Sequence, residues 1–349
     1  VADKIKLAFI GAGGIARGAH MPPLQKMDDV EVVAVADVSE DAARQAADLF
    51  EGRPRVYSDY RDMLKNEKLD AVDICTPNLY HRQPTIDALN AGLHVIVEKP
   101  IAMNAEEAKA MVQAARQNNR KLMVAQCQRF RSDVQLLKKM IDAGELGEIY
   151  YARVWALRRR GVPAWGVFIE KDKQGGGPMI DIGVHMLDMA LYLMGHPRPV
   201  AVSGQCYTKF GNRKGVFNPW GEWDPAKYTV EDYAAGFVRF ENGATLSIEA
   251  SFVANIRKDE LNVTLLGTEG GSDIDPFRIY KERHQRLIVE EPTLLPQVNT
   301  YEAELKEFFA AIREDRDPLV TGEQALMTQL ILDGIYESSE KGREVLINA

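Results

Sequence analysis

Ile5-Lys6-Leu7-Ala8-Phe9-Ile10-Gly11-Ala12-Gly13-Gly14-Ile15-Ala16 joins a short apolar run to a glycine turn and then to a helical pattern that runs to about residue 26. The glycines fit G-x-G-x-x-A. Gly11 suits the tight turn after a strand, and Gly13 lets a pyrophosphate approach the backbone. Gly14 and Ile15 carry the turn into the helix, and Ala16 keeps that helix close to the sheet. The first N–H groups of such a helix have no partner within it and face phosphate. The glycine pattern alone suits other nucleotides too. What sharpens it is Asp37, 26 positions after Gly11, at the end of the Val- and Ala-rich run Val30–Ala36. A carboxylate there accepts the adenosine ribose hydroxyls and repels the extra phosphate of NADP. NAD is the expected cofactor, with NADP open as the alternative and helix capping as the plain role for Asp37.

Outward from this unit the same alternation continues. Ser39–Phe50 reads as a helix capped by Ser39, Leu69–Cys75 as a buried strand, and residues 80–91 as a helix. His94–Val97 and Lys121–Ala125 are further strands, separated by a helix at 105–117. Asn104 can cap that helix, with Glu107 as its capping-box partner. Apolar strands alternating with helices make a parallel sheet covered on both faces. Residues 1–126 are therefore expected to form an α/β Rossmann domain. Residues 127–349 change character. Helices at 131–142 and 179–194 frame the run Gly175-Gly176-Gly177, and strands follow near 150–157, 200–210, 233–240, 244–252, 260–266 and 277–280. Glu241-Asn242-Gly243 makes a hairpin turn, and helices near 299–314 and 321–341 come last. The expectation is an α+β domain with a large, mainly antiparallel open sheet. The Gly-, Pro- and Trp-rich stretch 211–229 reads as a surface loop.

Bulk properties exclude some classes. The 349 residues suit two domains, and 46% hydrophobic with 27% charged residues is ordinary for a globular enzyme. A net charge of −8 argues against general nucleic-acid binding. Three cysteines without metal-site spacing point to a reducing compartment, so a cytoplasmic location is expected. No apolar run reaches membrane-spanning length, and no secretion signal is read before Ile5.

Oxidising an alcohol requires a base for its proton and benefits from a cation beside the growing alkoxide. Two stretches can supply them. Glu98-Lys99-Pro100 ends a parallel strand, which places it at the ligand edge of the sheet, although Lys99 also reads as a plain surface lysine. Cys75-Thr76-Pro77-Asn78 sits at the same edge, where Thr76, Pro77 and Asn78 can meet the nicotinamide half or simply end the strand. The second stretch is Asp181-Ile-Gly-Val-His185-Met-Leu-Asp188. On a helix Asp181 and His185 are one turn apart and Asp188 three positions further on. An imidazole oriented by a carboxylate passes protons near neutral pH. As plain structure, the same residues read as a buried histidine satisfied by an aspartate. A metal site of this type needs another ligand that no spacing supplies, so no metal is expected. The preceding glycines would let a loop approach ligand closely.

In this order the motifs resemble the Gfo/Idh/MocA family of glucose–fructose oxidoreductase and inositol dehydrogenase, over nearly the whole chain. The resemblance implies that Lys99, Asp181 and His185 are catalytic, with His185 as acid–base and Lys99 assisting. It implies that Pro100 shapes the nicotinamide pocket and that Glu98, His81 and Gln126 lie near the cofactor. Asp188 is implied as a substrate or supporting group, and a homodimer or homotetramer through the C-terminal sheet is implied as the assembly. Substrate is expected to be a cyclic polyol or sugar, with Arg158, Trp165 and the loop bearing Trp220 and Trp223 setting specificity. Packing for the tryptophans and solvation for Arg158 are the plain alternatives. NADP-linked reduction of a sugar or keto compound and a non-catalytic sugar or nucleotide sensor remain the other readings.

Overall fold

The computed structural model describes residues 3–347, which fall into two compact units. The first is built on a six-stranded sheet: β1 (Ile5–Ile10), β2 (Val30–Ala36), β3 (Arg55–Tyr57), β4 (Ala71–Ile74), β5 (His94–Glu98) and β6 (Leu122–Ala125). The order is β3-β2-β1-β4-β5-β6 and every pairing is parallel. That is the doubly wound order in which the chain reverses direction beside β1, and ligands bind outside the carboxyl ends at that point. Strand sequences such as Val95-Ile96-Val97 are fully buried, as a sheet covered on both faces requires. Residues 14–24 are helical, with a π-wound stretch at Ala16–His20 inside them. The Ser39 and Asn104 caps form as expected, with Asn104 Oδ1 accepting from the Glu107 amide at 3.0 Å and Ser39 Oγ from the Ala42 amide at 3.3 Å.

The first unit is Val1–Cys127 together with Asn299–Leu326. The expected boundaries placed that later segment in the second domain. Helix Thr300–Arg313 buries Leu305, Phe308 and Phe309, and the backbone of Val320 accepts from Val124 on β6 at 3.2 Å. An amphipathic pattern says that a helix face is buried but not what covers it.

The second unit, Gln128–Val298 with Met327–Ala349, carries nine strands. They are β7 (Ile149–Leu157), β8 (Pro199–Tyr207), β9 (Tyr233–Phe240), β10 (Thr245–Ser251), β11 (Glu260–Gly267), β12 (Gly271–Ile274), β13 (Phe277–Arg283), β14 (Arg286–Glu290) and β15 (Val345–Leu346). Their order is β14-β13-β12-β11-β7-β10-β9-β8-β15, and only β7 and β10 pair in parallel. Helix Gly322–Lys341 packs on this sheet from Met327 onward, close enough that a Cβ at Gly204 of β8 would lie 2.8 Å from Ile335. The stretch 211–229 is only partly a surface loop, because Val216, Trp223 and Tyr228 pack against Val162, Ile169, Phe252 and Val253.

Candidate active site

The cofactor edge of the first unit is built by backbone constraint. Gly11 has φ +97°, and a Cβ there would lie 2.7 Å from the Cys75 carbonyl group, so only glycine fits between β1 and the turn after β4. A Cβ at Gly13 or Gly14 would meet nothing within 4 Å, which leaves the start of the helix open to a ligand. Asp37 closes β2, its Oδ2 accepting from the Ala12 amide and its Oδ1 from the Ser39 amide, both at 2.8 Å. Each oxygen keeps a lone pair for a hydroxyl donor. Asp37 lines a cavity of about 770 Å³ with Gly11, Gly13, Tyr60, Thr76 and Pro77, a size that suits a nucleotide. Beyond β6, the carboxamide Oε1 of buried Gln126 has no hydrogen-bond partner among the described residues. An orphan acceptor at the carboxyl end of the sheet calls for an N–H donor, which a nicotinamide carboxamide has. The open glycine turn, the ribose-facing acid and this acceptor together fit a dinucleotide.

Two residues expected at the cofactor turn inward instead. His81 is completely buried, its Nδ1 2.8 Å from the Pro100 carbonyl and its Nε2 2.8 Å from the Thr76 carbonyl. It braces the two turns that form the edge, and burial holds its pKa below the ordinary value. Glu98 is also turned inward: Oε1 lies 3.0 Å from His20 Nε2, and Oε2 accepts from the Lys99 amide at 3.0 Å. The Lys99–Pro100 peptide is cis. Asn78, buried at the turn after β4, follows Thr76 and Pro77, which line the cavity.

Beneath Lys99 lies a cluster that sequence reasoning missed. His20 Nδ1 is 2.8 Å from Asp73 Oδ2, and the Cys75 thiol donates to Asp73 Oδ1 at 3.2 Å. His20 and Asp73 are wholly buried. Burial pulls the imidazole pKa down, but the Asp73 carboxylate and Cys75 outweigh it and hold it well above 6.5. His20, Asp73 and Cys75 are near enough to share a metal ion. Their 2.8 Å imidazole–carboxylate spacing is that of a hydrogen bond, whereas ligands on one tetrahedral zinc stand about 3.3 Å apart. The signal was an aspartate inside the apolar strand Ala71-Val72-Asp73-Ile74.

In the second unit a π-wound stretch, Met179–Gly183, leads into helix Val184–Leu193. From Met179 to Leu193 every residue is buried except His185. Asp181 precedes it by four positions, and Arg158 Nη1 stands 3.7 Å from Asp181 Oδ2. The Arg158 guanidinium lies 4.8 Å from the Trp220 ring centre, and the Trp165 ring is 5.7 Å from Trp220. The Asp181 carboxylate, the Arg158 guanidinium and the half-exposed Trp220 and Trp165 indoles thus adjoin one another in this unit, with His185 four positions along the chain from Asp181.

Three expectations here are corrected. Asp188 is not available to substrate: Arg129 grips it with Nε to Oδ2 and Nη2 to Oδ1, both at 2.7 Å, and both side chains are buried. Three helical steps from His185 leave Asp188 about 60° round the helix, on the core side. Trp223 is likewise structural, its Nε1 donating to the Gly211 carbonyl at 2.6 Å. The glycine run serves packing. A Cβ at Gly176 would sit 2.0 Å from the Tyr336 hydroxyl, and one at Gly177 would sit 2.2 Å from the Glu231 carbonyl oxygen.

A Rossmann unit with an open cofactor turn, joined in one chain to a mostly antiparallel sheet with an Asp-x-x-x-His helix, defines a two-domain NAD(P)-dependent oxidoreductase acting on CH–OH groups. The chain belongs to the Gfo/Idh/MocA oxidoreductase family: its NAD-binding Rossmann-fold model matches residues 5–126 and its C-terminal alpha/beta-domain model residues 138–347. Among curated relatives, D-glucoside 3-dehydrogenase of Escherichia coli K12 is 37% identical over 342 residues, 98% of this chain and 97% of the relative. The scyllo-inositol 2-dehydrogenase (NAD+) of Bacillus subtilis is 26% identical, covering 91% of this chain and 89% of the relative. Among solved structures, levoglucosan dehydrogenase in complex with NADH and levoglucosan superposes with a TM-score of 0.86 at 26% identity, over 99% of this chain and 100% of the other. Among the described residues no helix is long and apolar enough to cross a membrane.

Proposed function

We propose that the protein oxidises a secondary alcohol on a cyclic polyol or sugar, with NAD as acceptor. The observation that carries this reading is His185, the one opening in an otherwise buried helix, four positions after an Asp181 that is paired with Arg158. Gly11, Gly13, Gly14, Ile15 and Ala16 hold the pyrophosphate; Asp37 takes the ribose; Thr76, Pro77, Asn78, Pro100 and Gln126 frame the nicotinamide half. A bound nicotinamide would supply the hydride acceptor for the carbinol carbon. Lys99 donates a hydrogen bond to the substrate oxygen and stabilises the developing alkoxide with its charge. His185 accepts the hydroxyl proton, while Asp181 orients the imidazole or a neighbouring hydroxyl. Arg158 and the faces of Trp165 and Trp220 receive the polar and C–H sides of the ring.

The relative at 37% identity makes D-glucosides the first substrates to test, ahead of inositols and anhydrosugars. Reduced nicotinamide formed across such a panel is read by absorbance, and no turnover on any member would overturn the reading. His185→Ala is expected to lower kcat by about 10²- to 10⁴-fold with NAD affinity retained. Asp37→Ala should erode the preference for NAD over NADP by about tenfold or more, read from the two kcat/KM values. Self-association through the second sheet, as a dimer or tetramer, belongs to the same proposal; it would hide exposed Leu261, Leu266, Leu287 and Val289.

A further inference from the structure

Glu231 and Asp232, just ahead of β9, are adjacent acids, and both are buried. Each collects backbone amides from a different segment. Glu231 Oε2 accepts from the Gly177 amide at 2.9 Å, and its Oε1 accepts from the Met179 amide at 3.2 Å and the Tyr336 hydroxyl at 2.8 Å. Met179 opens the helical run that carries Asp181 and His185. The carboxylate therefore occupies amides at the start of that run, where the helix has no acceptors of its own. Asp232 Oδ2 accepts from the amides of Lys209, Phe210 and Gly211 at 2.7, 2.6 and 2.9 Å. Those residues open the stretch that carries Trp220, and Trp223 ties back to Gly211. A buried carboxylate is a poor way to gain stability, because apolar packing serves as well. Two in succession, each holding one wall of the same region, call for another reason.

We propose that Glu231 and Asp232 are a pair of positioning residues. Glu231, with Tyr336, sets the helix that presents His185, and Asp232 sets the aromatic stretch that meets the sugar ring. The inference rests on the reading of His185 as base and Trp220 as substrate contact. It divides the two acids by kinetic effect: Glu231 governs turnover and Asp232 governs substrate affinity.

The test compares Glu231→Gln, Asp232→Asn and Tyr336→Phe with wild type and His185→Ala in the full chain. Each is followed by steady-state kinetics at saturating NAD, NAD titration, thermal melting and amide hydrogen exchange. Glu231→Gln should lower kcat by about 10- to 100-fold with sugar KM within about threefold, the size expected for a displaced catalytic group. Asp232→Asn should raise KM by about tenfold with kcat within about threefold. NAD affinity should be unchanged in both. Exchange should quicken at 177–181 in Glu231→Gln and at 209–211 in Asp232→Asn, each without the other. The same split in both variants, or losses that vanish on cooling with the melting transition, would overturn the pairing. Should Glu231→Gln not fold, Tyr336→Phe carries the test with a kcat loss of about two- to fivefold, and an unchanged kcat in that folded variant would overturn it. If wild type turns over no sugar or polyol, the functional reading fails, while the exchange pattern still decides the pairing.

Discussion

Asp73 and Glu98 in the first unit and Asp188, Glu231 and Asp232 in the second face one problem, a carboxylate withdrawn from water. In the first unit the shared counter-group is an imidazole, with His20 lying between Asp73 and Glu98 at 2.8 and 3.0 Å. In the second, Asp188 is held by a guanidinium, Asp232 by main-chain amides, and Glu231 by main-chain amides together with the Tyr336 hydroxyl. The difference is one of proton traffic. An imidazolium can lose its proton in the physiological range; a guanidinium and a backbone amide keep theirs. The cluster beneath Lys99 is therefore responsive to pH in a way that the supports of the His185 helix are not.

Removing the guanidinium should give the largest effect. Arg129→Met leaves Asp188 buried without its partner and should cost about 3–5 kcal/mol, with most of it recovered when Asp188→Leu is added. The four tryptophans, at 155, 165, 220 and 223, all lie in the second unit, so their fluorescence in a denaturant titration reports that loss selectively. A loss below about 1 kcal/mol would show that the pair is wetter than its geometry indicates.

A smaller effect is expected in the first unit. The folded pKa of His20 is raised above 6.5, so its stabilising contribution is complete below about 6.5 and declines as pH rises through the raised folded value. His20→Gln should cost about 1–3 kcal/mol at pH 6 and remove that decline. Hydrogen exchange of β4 and β5 amides, corrected for the intrinsic rate, measures both at pH 6 and pH 9. A variant that retains the wild-type pH slope would show that another group carries it. Glu231 is held above 4.5 chiefly by burial, so its own contribution is complete below about 4.5 and declines as pH rises through the raised folded value.

Much of the fold was legible because it is local. The alternation of apolar strands with helices gave the parallel sheet, and Glu241-Asn242-Gly243 gave the β9–β10 hairpin. The hairpin between β13 and β14 was not legible. Its two loop residues, His284 and Gln285, adopt φ of 53° and 58°, a conformation that usually announces itself through glycine or asparagine. Strand β3 was too short to show a period. At the candidate site, the Asp181–His185 spacing was legible because residues four apart share one face of a helix. Glu231 and Tyr336 were not, since they lie 105 positions apart in sequence.

The glycines show where that boundary runs. Gly11 carried its meaning in the sequence, because a turn between a strand and a helix with an acid after the next strand has few other uses. The sequence alone thus determined a dinucleotide fold, the Asp37 position and the Asp181–His185 spacing. Gly176 and Gly177 looked like a ligand-facing loop, and only the tertiary structure showed that Tyr336 and Glu231 take up their space. Tertiary structure likewise decided that Asp188 belongs to Arg129, that Glu98 belongs to His20 and that Asn299–Leu326 returns to the first unit. The reason is physical: backbone conformation and periodicity act over a few residues, whereas the partner of a buried charge is chosen by which distant segments pack against it.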